Sequence, residues 1–370
     1  MSGSDLVDWI RLSRTDGLGP VGIRNLLART GSAAAALAQL PEMASRAGRK
    51  SRLVPYGEAD ARRDLETAAG MGITAIARND PRYPVPLNEI EDAPTVLWVK
   101  GAAEKLSKPC IAVVGARNAS LNGRKIAKAW SAELAEAGYT VVSGLARGFD
   151  GAAHEGAVTK GKTVAVMAGG IDVIYPPEHR DLWARVAETG AVISEMVVGT
   201  EPLPAYFPRR NRIISGFSLA IIVVEATLKS GSLITARLAA DQGRDILAVP
   251  GSPLDPRAQG PNSLIRDGAT LVQSVDDILG ALNVPAIARS RPSSNTSKAN
   301  QPIEKIDEKA LEPLRDRALA LIGAQPVLVD ELVRQCQTSA PILAQVLLDL
   351  ELAGQIERLP GNKVAGLGKV

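Results

Sequence analysis

Between residues 107 and 282, short apolar runs alternate with amphipathic stretches. Ile111–Val114, Thr140–Val142, Thr163–Met167, Ala191–Ile193, Leu219–Val224 and Ile246–Val249 are rich in β-branched residues, while Gly123–Ala137 and Leu233–Gln242 repeat apolar positions at helical spacing. Strands apolar on both faces and separated by helices predict an α/β core, a Rossmann-like doubly wound parallel sheet. Upstream, Leu6–Arg14 and Ile23–Arg29 predict two helices joined by Asp16-Gly17-Leu18-Gly19-Pro20-Val21-Gly22. Such a turn can offer backbone N–H groups to a phosphate, as helix-hairpin-helix elements do, or its glycines can serve only close helix packing. Downstream, Glu312–Ile322, Leu328–Gln335 and Pro341–Gly354 predict three helices, and Gln355–Ala365 a β wing turning at Pro360-Gly361-Asn362. That is winged-helix patterning. The third of these helices is the one that reads bases in duplex binders, yet Ala340 to Gly354 holds no Lys or Arg and does hold Asp349 and Glu351. The module is expected to pack or to bind protein rather than to read a duplex.

Residues 283–303, rich in Pro, Ser, Asn and Thr without periodicity, predict a flexible linker, and a softer boundary falls near residues 101–108. The expected domains are therefore a helical one over 1–75, the α/β core over 76–282 and the winged helix over 304–370. A chain of 370 residues is long for one core, which agrees with this division. The longest apolar run, Leu219–Val224, is far too short to span a bilayer, and the first ten residues carry Asp5 and Asp8 without the basic-then-apolar order of a secretory signal. Cys110 and Cys336 are isolated and the chain has 2 His, so neither a disulfide framework nor a metal site is expected, and a cytoplasmic location fits. The net charge of +3 is spread evenly, with 14 Lys/Arg against 13 Asp/Glu in residues 1–106, 18 against 17 in 107–282, and 11 against 10 in 283–370. Any anion-binding surface must come from local clustering.

In an open parallel sheet, ligands bind at the carboxyl ends of the strands. Gly115, Arg117 and Ser120 follow the first expected strand, Ser143, Gly144 and Arg147 the second, and Gly169 and Gly170 the third, with Arg180 shortly after. Arg209, Arg210, Asn211 and Arg212 precede the fifth strand, and Lys229, Ser230, Gly231, Ser232 and Thr235 follow it. Glycine lets backbone approach an anion, helix starts offer N–H donors, and arginine supplies a fork shaped for phosphate. Singly, each feature has a plain structural reading: Ser230 can be an N-cap and the arginine run a solvated face. Together, several anion-receiving corners along one edge suit a string of phosphates better than a single one.

Familiar nucleotide enzymes fit poorly. The first loop is not G-x-G-x-x-G, the second strand ends in Ser143-Gly144 without a carboxylate for ribose, and no G-x-x-x-x-G-K-[ST] occurs. His154 has no nucleophile and orienting acid around it, and Asp150 and Glu225 show no catalytic pairing. No catalytic residue, cofactor or metal is expected. The rival reading is a nucleotide phosphoribohydrolase of the lysine-decarboxylase-like Rossmann group, whose Pro-Gly-Gly-x-Gly-Thr-x-x-Glu loop corresponds to Lys229–Thr235; that stretch lacks the glutamate.

Taken in order, these motifs resemble the DNA-processing protein A (DprA/Smf) family over about residues 80–282. Asp80-Pro81-Arg82-Tyr83-Pro84 resembles its entry segment, Gly115-x-Arg117-x-x-Ser120-x-x-Gly123 its first loop, and the run from Ser143 to His154 its second. The runs from Phe207 to Gly216 and from Ser230 to Ala236, and Asn262-x-Leu264-Ile265-x-x-Gly268-Ala269, complete the set. The resemblance implies a Rossmann core that forms a homodimer, binds single-stranded DNA without sequence preference, protects incoming DNA in natural transformation and loads the RecA recombinase. It also implies a sterile-alpha-motif-like N-terminal domain and, in some members, a C-terminal winged helix. Its key DNA contacts, a first-loop arginine and a basic residue after Tyr175-Pro176, fall on Arg117 and Arg180. Aromatic residues make up only 3% of the chain, so phosphate electrostatics should outweigh base stacking and binding should weaken steeply with salt. The expectation is a binding protein and not an enzyme.

Overall fold

In the computed structural model, which describes residues 3–46, 53–283 and 308–367, the chain opens with α1 (Gly3–Ser13), α2 (Pro20–Thr30) and α3 (Ala33–Arg46). From residue 284 on, the expected linker lies outside the described residues. The chain divides into two compact units, Met1–Ile10 with Gly57–Leu279, and Arg11–Tyr56 with Gly280–Val370.

A parallel strand covered by helices has no face to spare for water, and the core strands meet that condition. After α4 (Glu58–Gly70) come β1 (Ile73–Ala77), α5 (Val85–Glu89) and β2 (Val96–Gly101). The alternation then runs β3 (Cys110–Val114), α6 (Leu121–Glu136), β4 (Thr140–Ser143), α7 (Phe149–Ala157), β5 (Thr163–Val166), α8 (Arg180–Thr189) and β6 (Ala191–Ser194). It continues with α9 (Tyr206–Phe217), β7 (Ala220–Val223), α10 (Gly231–Asp241), β8 (Asp245–Ala248), α11 (Gln259–Arg266), β9 (Thr270–Leu271) and α12 (Val275–Asn283). Every residue of β3 to β7 is buried. The sheet order is β1-β2-β6-β5-β4-β3-β7-β8-β9, parallel from β6 to β9, with β1 and β2 added antiparallel. On one side of the sheet Ile213, Ile214 and Phe217 of α9 and Leu233, Ala236 and Ala239 of α10 share a core with Val114, Val142, Val166 and Val223. Burying each large aliphatic side chain contributes about 1.5–3 kcal/mol.

All six expected parallel strands are present, and β1, β2 and β9 extend them. β9 is two residues long. β2 is a plain apolar run, Val96-Leu97-Trp98-Val99, whose antiparallel partners lie on β1 and on the distant β6. The chain leaves β3 toward β4, β5 and β6 on one side and returns to β7 on the other. That reversal is the topological switch point where such sheets form their binding crevice.

In the second unit the winged helix comprises α13 (Glu308–Leu321), β10 (Val327–Leu328), α14 (Val329–Cys336), α15 (Ala340–Leu352), β11 (Ile356–Leu359) and β12 (Lys363–Gly366). Its core joins Leu311, Ile322, Leu332, Leu343, Leu347 and Val364, and positive φ at Gly361 and Asn362 turns the wing. α15 is buried nearly all round, including Leu348, Glu351 and Leu352. A helix apolar on every side must be covered on every side, and the side turned away from the winged-helix core packs on α2 and α3.

Candidate nucleic-acid interface

The loop after β3 is braced from across the switch point. Ser120 Oγ caps α6 by accepting from Gly123 N at 2.9 Å. Ser120 N donates to Glu225 Oε2 at 2.9 Å and Ser120 Oγ donates to Glu225 Oε1 at 2.5 Å. A Cβ on Gly115 would meet the Phe149 ring at 2.4 Å, so this glycine is fixed by packing inside the protein. Arg117 projects from the loop into solvent, with its guanidinium 5.1 Å from the centre of the Phe207 ring.

The loop after β4 is built over a buried arginine. Gly144 N and Ala146 N donate to Asp150 Oδ2 at 3.1 and 3.4 Å. Arg210, brought in by α9, donates to Val166 O at 3.2 Å and lies 3.9 Å from the same carboxylate oxygen. A Cβ on Gly144 would fall 1.2 Å from Arg210 Nη1, so glycine is what lets the guanidinium pass. Burial pushes the Asp150 carboxyl above the usual carboxylate range, with Arg210 opposing, and burial lowers Arg210 in turn. Arg210 Nε finds no hydrogen-bond partner among the described residues.

Above Arg210 the Tyr175 and Phe207 rings meet edge to face, 5.7 Å between centroids at 72°, and the Arg210 guanidinium lies 6.0 Å from Phe207. Gly144, Met167, Gly169, Tyr175, Phe207 and Arg210 border a small hollow there. The hollow has room for about one water, so a base or a phosphate would rest against its rim of cation and aromatic rings and not inside it.

The remaining expected contacts fall into exposed and buried groups. Arg147 is exposed and paired with Glu178, and Arg180 is exposed at the start of α8. Arg209 is half-buried beside the Tyr206 ring at 5.8 Å, and Asn211 is half-buried. Lys229 and Gly231 are exposed, and the half-buried Ser230 caps α10 with its Oγ 2.7 Å from Ser232 Oγ. By contrast Ser143 is buried and donates to Val113 O at 2.7 Å, and Ser232 and Thr235 are buried in α10. Arg212 donates from Nη2 to Glu195 Oε1 at 2.6 Å, and its Nε lies 3.5 Å from Asp92, so its charge is met inside the core. Gly169 and Gly170 are buried, and a Cβ on either would meet the 197–202 backbone at 2.6–2.8 Å, so both are fixed by packing inside the protein. His154 is buried with Nδ1 2.7 Å from Thr163 Oγ1, and burial pushes it down to about 3, which keeps it neutral. Among the described residues no cluster of three or more His, Cys, Asp and Glu is arranged to hold a metal ion.

The sequence named the loops but gave the hollow no special weight. Tyr175 and Phe207 are 32 positions apart; what could have joined them is that both rings flank loops at the same sheet edge.

Comparison with known proteins identifies the family of the chain. Residues 74–283 match the family model of DNA recombination-mediator protein A, residues 4–67 that of the DprA-like N-terminal HHH domain, and residues 304–362 that of the DprA winged helix domain. The chain is 38% identical to Protein Smf of Escherichia coli (strain K12) over 284 residues, 76% of this chain and 74% of that one. The X-ray structure of DNA processing protein A from Streptococcus pneumoniae matches with a TM-score of 0.65 at 34% identity, covering 74% of this chain and 95% of that chain. DNA processing protein A from Helicobacter pylori, described for its single-stranded DNA binding mode, matches with a TM-score of 0.53 at 27% identity, covering 57% and 95%.

Proposed function

The chain belongs to the DNA recombination-mediator protein A family, and from that membership we propose that its core crevice binds single-stranded DNA without sequence preference. The observation that carries this is the cluster of Arg117, Arg210, Phe207 and Tyr175 at the switch point. Unstacked bases expose ring faces that Tyr175 and Phe207 can meet, whereas a duplex keeps its faces hidden. Arg117, Arg147, Arg180 and Lys229 are exposed cations at the same edge of the sheet and supply the backbone contacts. Arg180 stands at a helix start, where the dipole disfavours a cation by a few tenths of a kcal/mol; an incoming phosphate would relieve that.

The strand leaves chemically unchanged in this reading, because the loop Lys229–Thr235 carries no glutamate and His154 is sealed in the core. Incubation with nucleoside monophosphates should release no free base. We propose further that the protein acts as a homodimer, protects incoming strands in natural transformation and passes them to a RecA-type recombinase. The test is fluorescence anisotropy of a labelled single strand and its duplex across a salt series. Wild type should prefer the single strand. Arg117→Ala and Arg180→Ala should each weaken it about tenfold and flatten the logarithmic salt slope by about 0.7. Duplex preference, or wild-type affinity in both variants, would overturn the crevice assignment.

A further inference from the structure

Within the second unit, an anion sits on the start of α2. Gly19 is the N-cap residue, with no side-chain cap, and its N–H donates to Glu351 Oε1 at 3.0 Å. A Cβ on Gly22 would fall 2.7 Å from Glu351 Oε2, and one on Gly19 3.1 Å from Oε1. The two glycines therefore form a cradle that admits both oxygens of a carboxylate. The carboxylate comes from α15, the helix that would read bases if this winged helix bound a duplex.

Charge is complementary across the contact. Residues 11–30 hold Arg11, Arg14, Arg24 and Arg29 against Asp16, while α15 holds Asp349 and Glu351 and no cation. Arg29 pairs with Asp349 at 3.6 Å, and Arg358 Nε donates to Glu351 Oε2 at 3.2 Å. Glu351 is 4% exposed. A buried ion pair seldom outperforms an apolar side chain of the same volume, and the rest of α15 shows that apolar residues were available. A carboxylate does one thing there that leucine cannot. It holds the seat of an oxyanion, so another oxyanion can displace it.

We propose that the Gly19–Gly22 turn is a second seat for a phosphodiester backbone, and that Glu351 fills it as a built-in stand-in for phosphate while the winged helix is docked. The choice of a nucleic acid as the ligand rests on the DNA-binding reading above; the displaceable carboxylate does not. DNA and the winged helix then compete for one hairpin, so engaging DNA releases α15, and a docked α15 keeps the hairpin off DNA.

The test uses the full chain carrying Arg117→Ala, which weakens the core crevice and so lowers its share of the signal. Two quantities are followed: amide hydrogen exchange of the segment around Gly19–Gly22, and anisotropy of a short labelled duplex. Glu351→Gln should speed exchange in that segment and tighten duplex binding about tenfold, within the usual range of coupling between sites. Asp349→Ala, a half-exposed change that spares the winged-helix core, should move both readouts the same way by less. Adding Gly22→Glu to Glu351→Gln should keep the fast exchange and abolish the gain, because the new carboxylate fills the cradle from the hairpin's own side. Unchanged duplex affinity in both Glu351→Gln and Asp349→Ala overturns the proposal, as does a gain that survives Gly22→Glu. Single-strand binding by the Arg117→Ala parent, measured alongside, judges the core crevice separately.

Discussion

Two helices begin at the switch point of the core, α6 after β3 and α10 after β7, and the protein treats their starts differently. Both are capped by a serine, Ser120 and Ser230. At α6 an anion is already present, because the Glu225 carboxylate takes both the N–H and the hydroxyl of Ser120. At α10 nothing among the described residues lies within 4 Å of where a Cβ on Gly231 would be, its own helix backbone and chain neighbours aside, and Lys229 beside it is exposed. Both starts carry the partial positive charge of a helix dipole. One has spent it on holding the Arg117 loop in place, and the other leaves it facing solvent. The same motif type, serine and glycine at a helix start, thus serves bracing in one place and, in the reading proposed above, an anion seat in the other.

Removing Glu225 tests the braced side with the largest expected effect. Glu225→Ala deletes two charge-assisted hydrogen bonds and should cost about 2–3 kcal/mol in urea unfolding. Weaker single-strand binding would accompany it, since the Arg117 loop loses its tie. Tighter binding instead would mean that the α6 start takes a phosphate once emptied, and the contrast between the two helices would collapse. A smaller difference should separate the serines. Ser120→Ala loses a cap and a bridge to the Glu225 carboxylate and should cost about 1–2 kcal/mol, whereas Ser230→Ala loses a cap and only a neutral hydroxyl contact to Ser232 and should cost about 0.5–1 kcal/mol. Equal costs for the two would show that the bridge to Glu225 adds nothing.

The contrast explains what the sequence could and could not reveal. Strands β3 to β7 were legible because burial on both faces writes itself as apolar runs such as Ile221-Ile222-Val223. The loops at the strand ends were legible from their glycine, serine and arginine. The use of each residue was not. Arg210 and Arg212 look like a solvated charge run beside Arg209, yet α9 turns both into the protein, toward Asp150 and toward Glu195 with Asp92. Those partners lie far off in the chain, and no local spacing announces them. The same holds for Ser120, whose partner Glu225 is 105 residues away, and for Gly19, whose partner Glu351 is 332 residues away. The acidic, apolar α15 did announce that it would pack rather than read bases; what it packs on required the structure.

Gly231 offers the sharpest test of the open side because its effect on folding should be close to nil. Gly144 must be glycine for the protein's own sake, since a side chain there would strike Arg210. Gly231 has no such reason: it is exposed, its φ is not in the left-handed region, and a methyl group would meet empty space. Alanine at the first turn of a helix should leave stability within about 0.5 kcal/mol of wild type or raise it slightly. If the α10 start seats a phosphate, the same methyl group stands between the backbone N–H groups and the phosphate oxygens. Single-strand affinity should then fall about fivefold while the thermal midpoint holds or rises. A variant that keeps full affinity would place the strand elsewhere along the crevice, leaving Arg117 and the Phe207 ring to carry the contact without the helix.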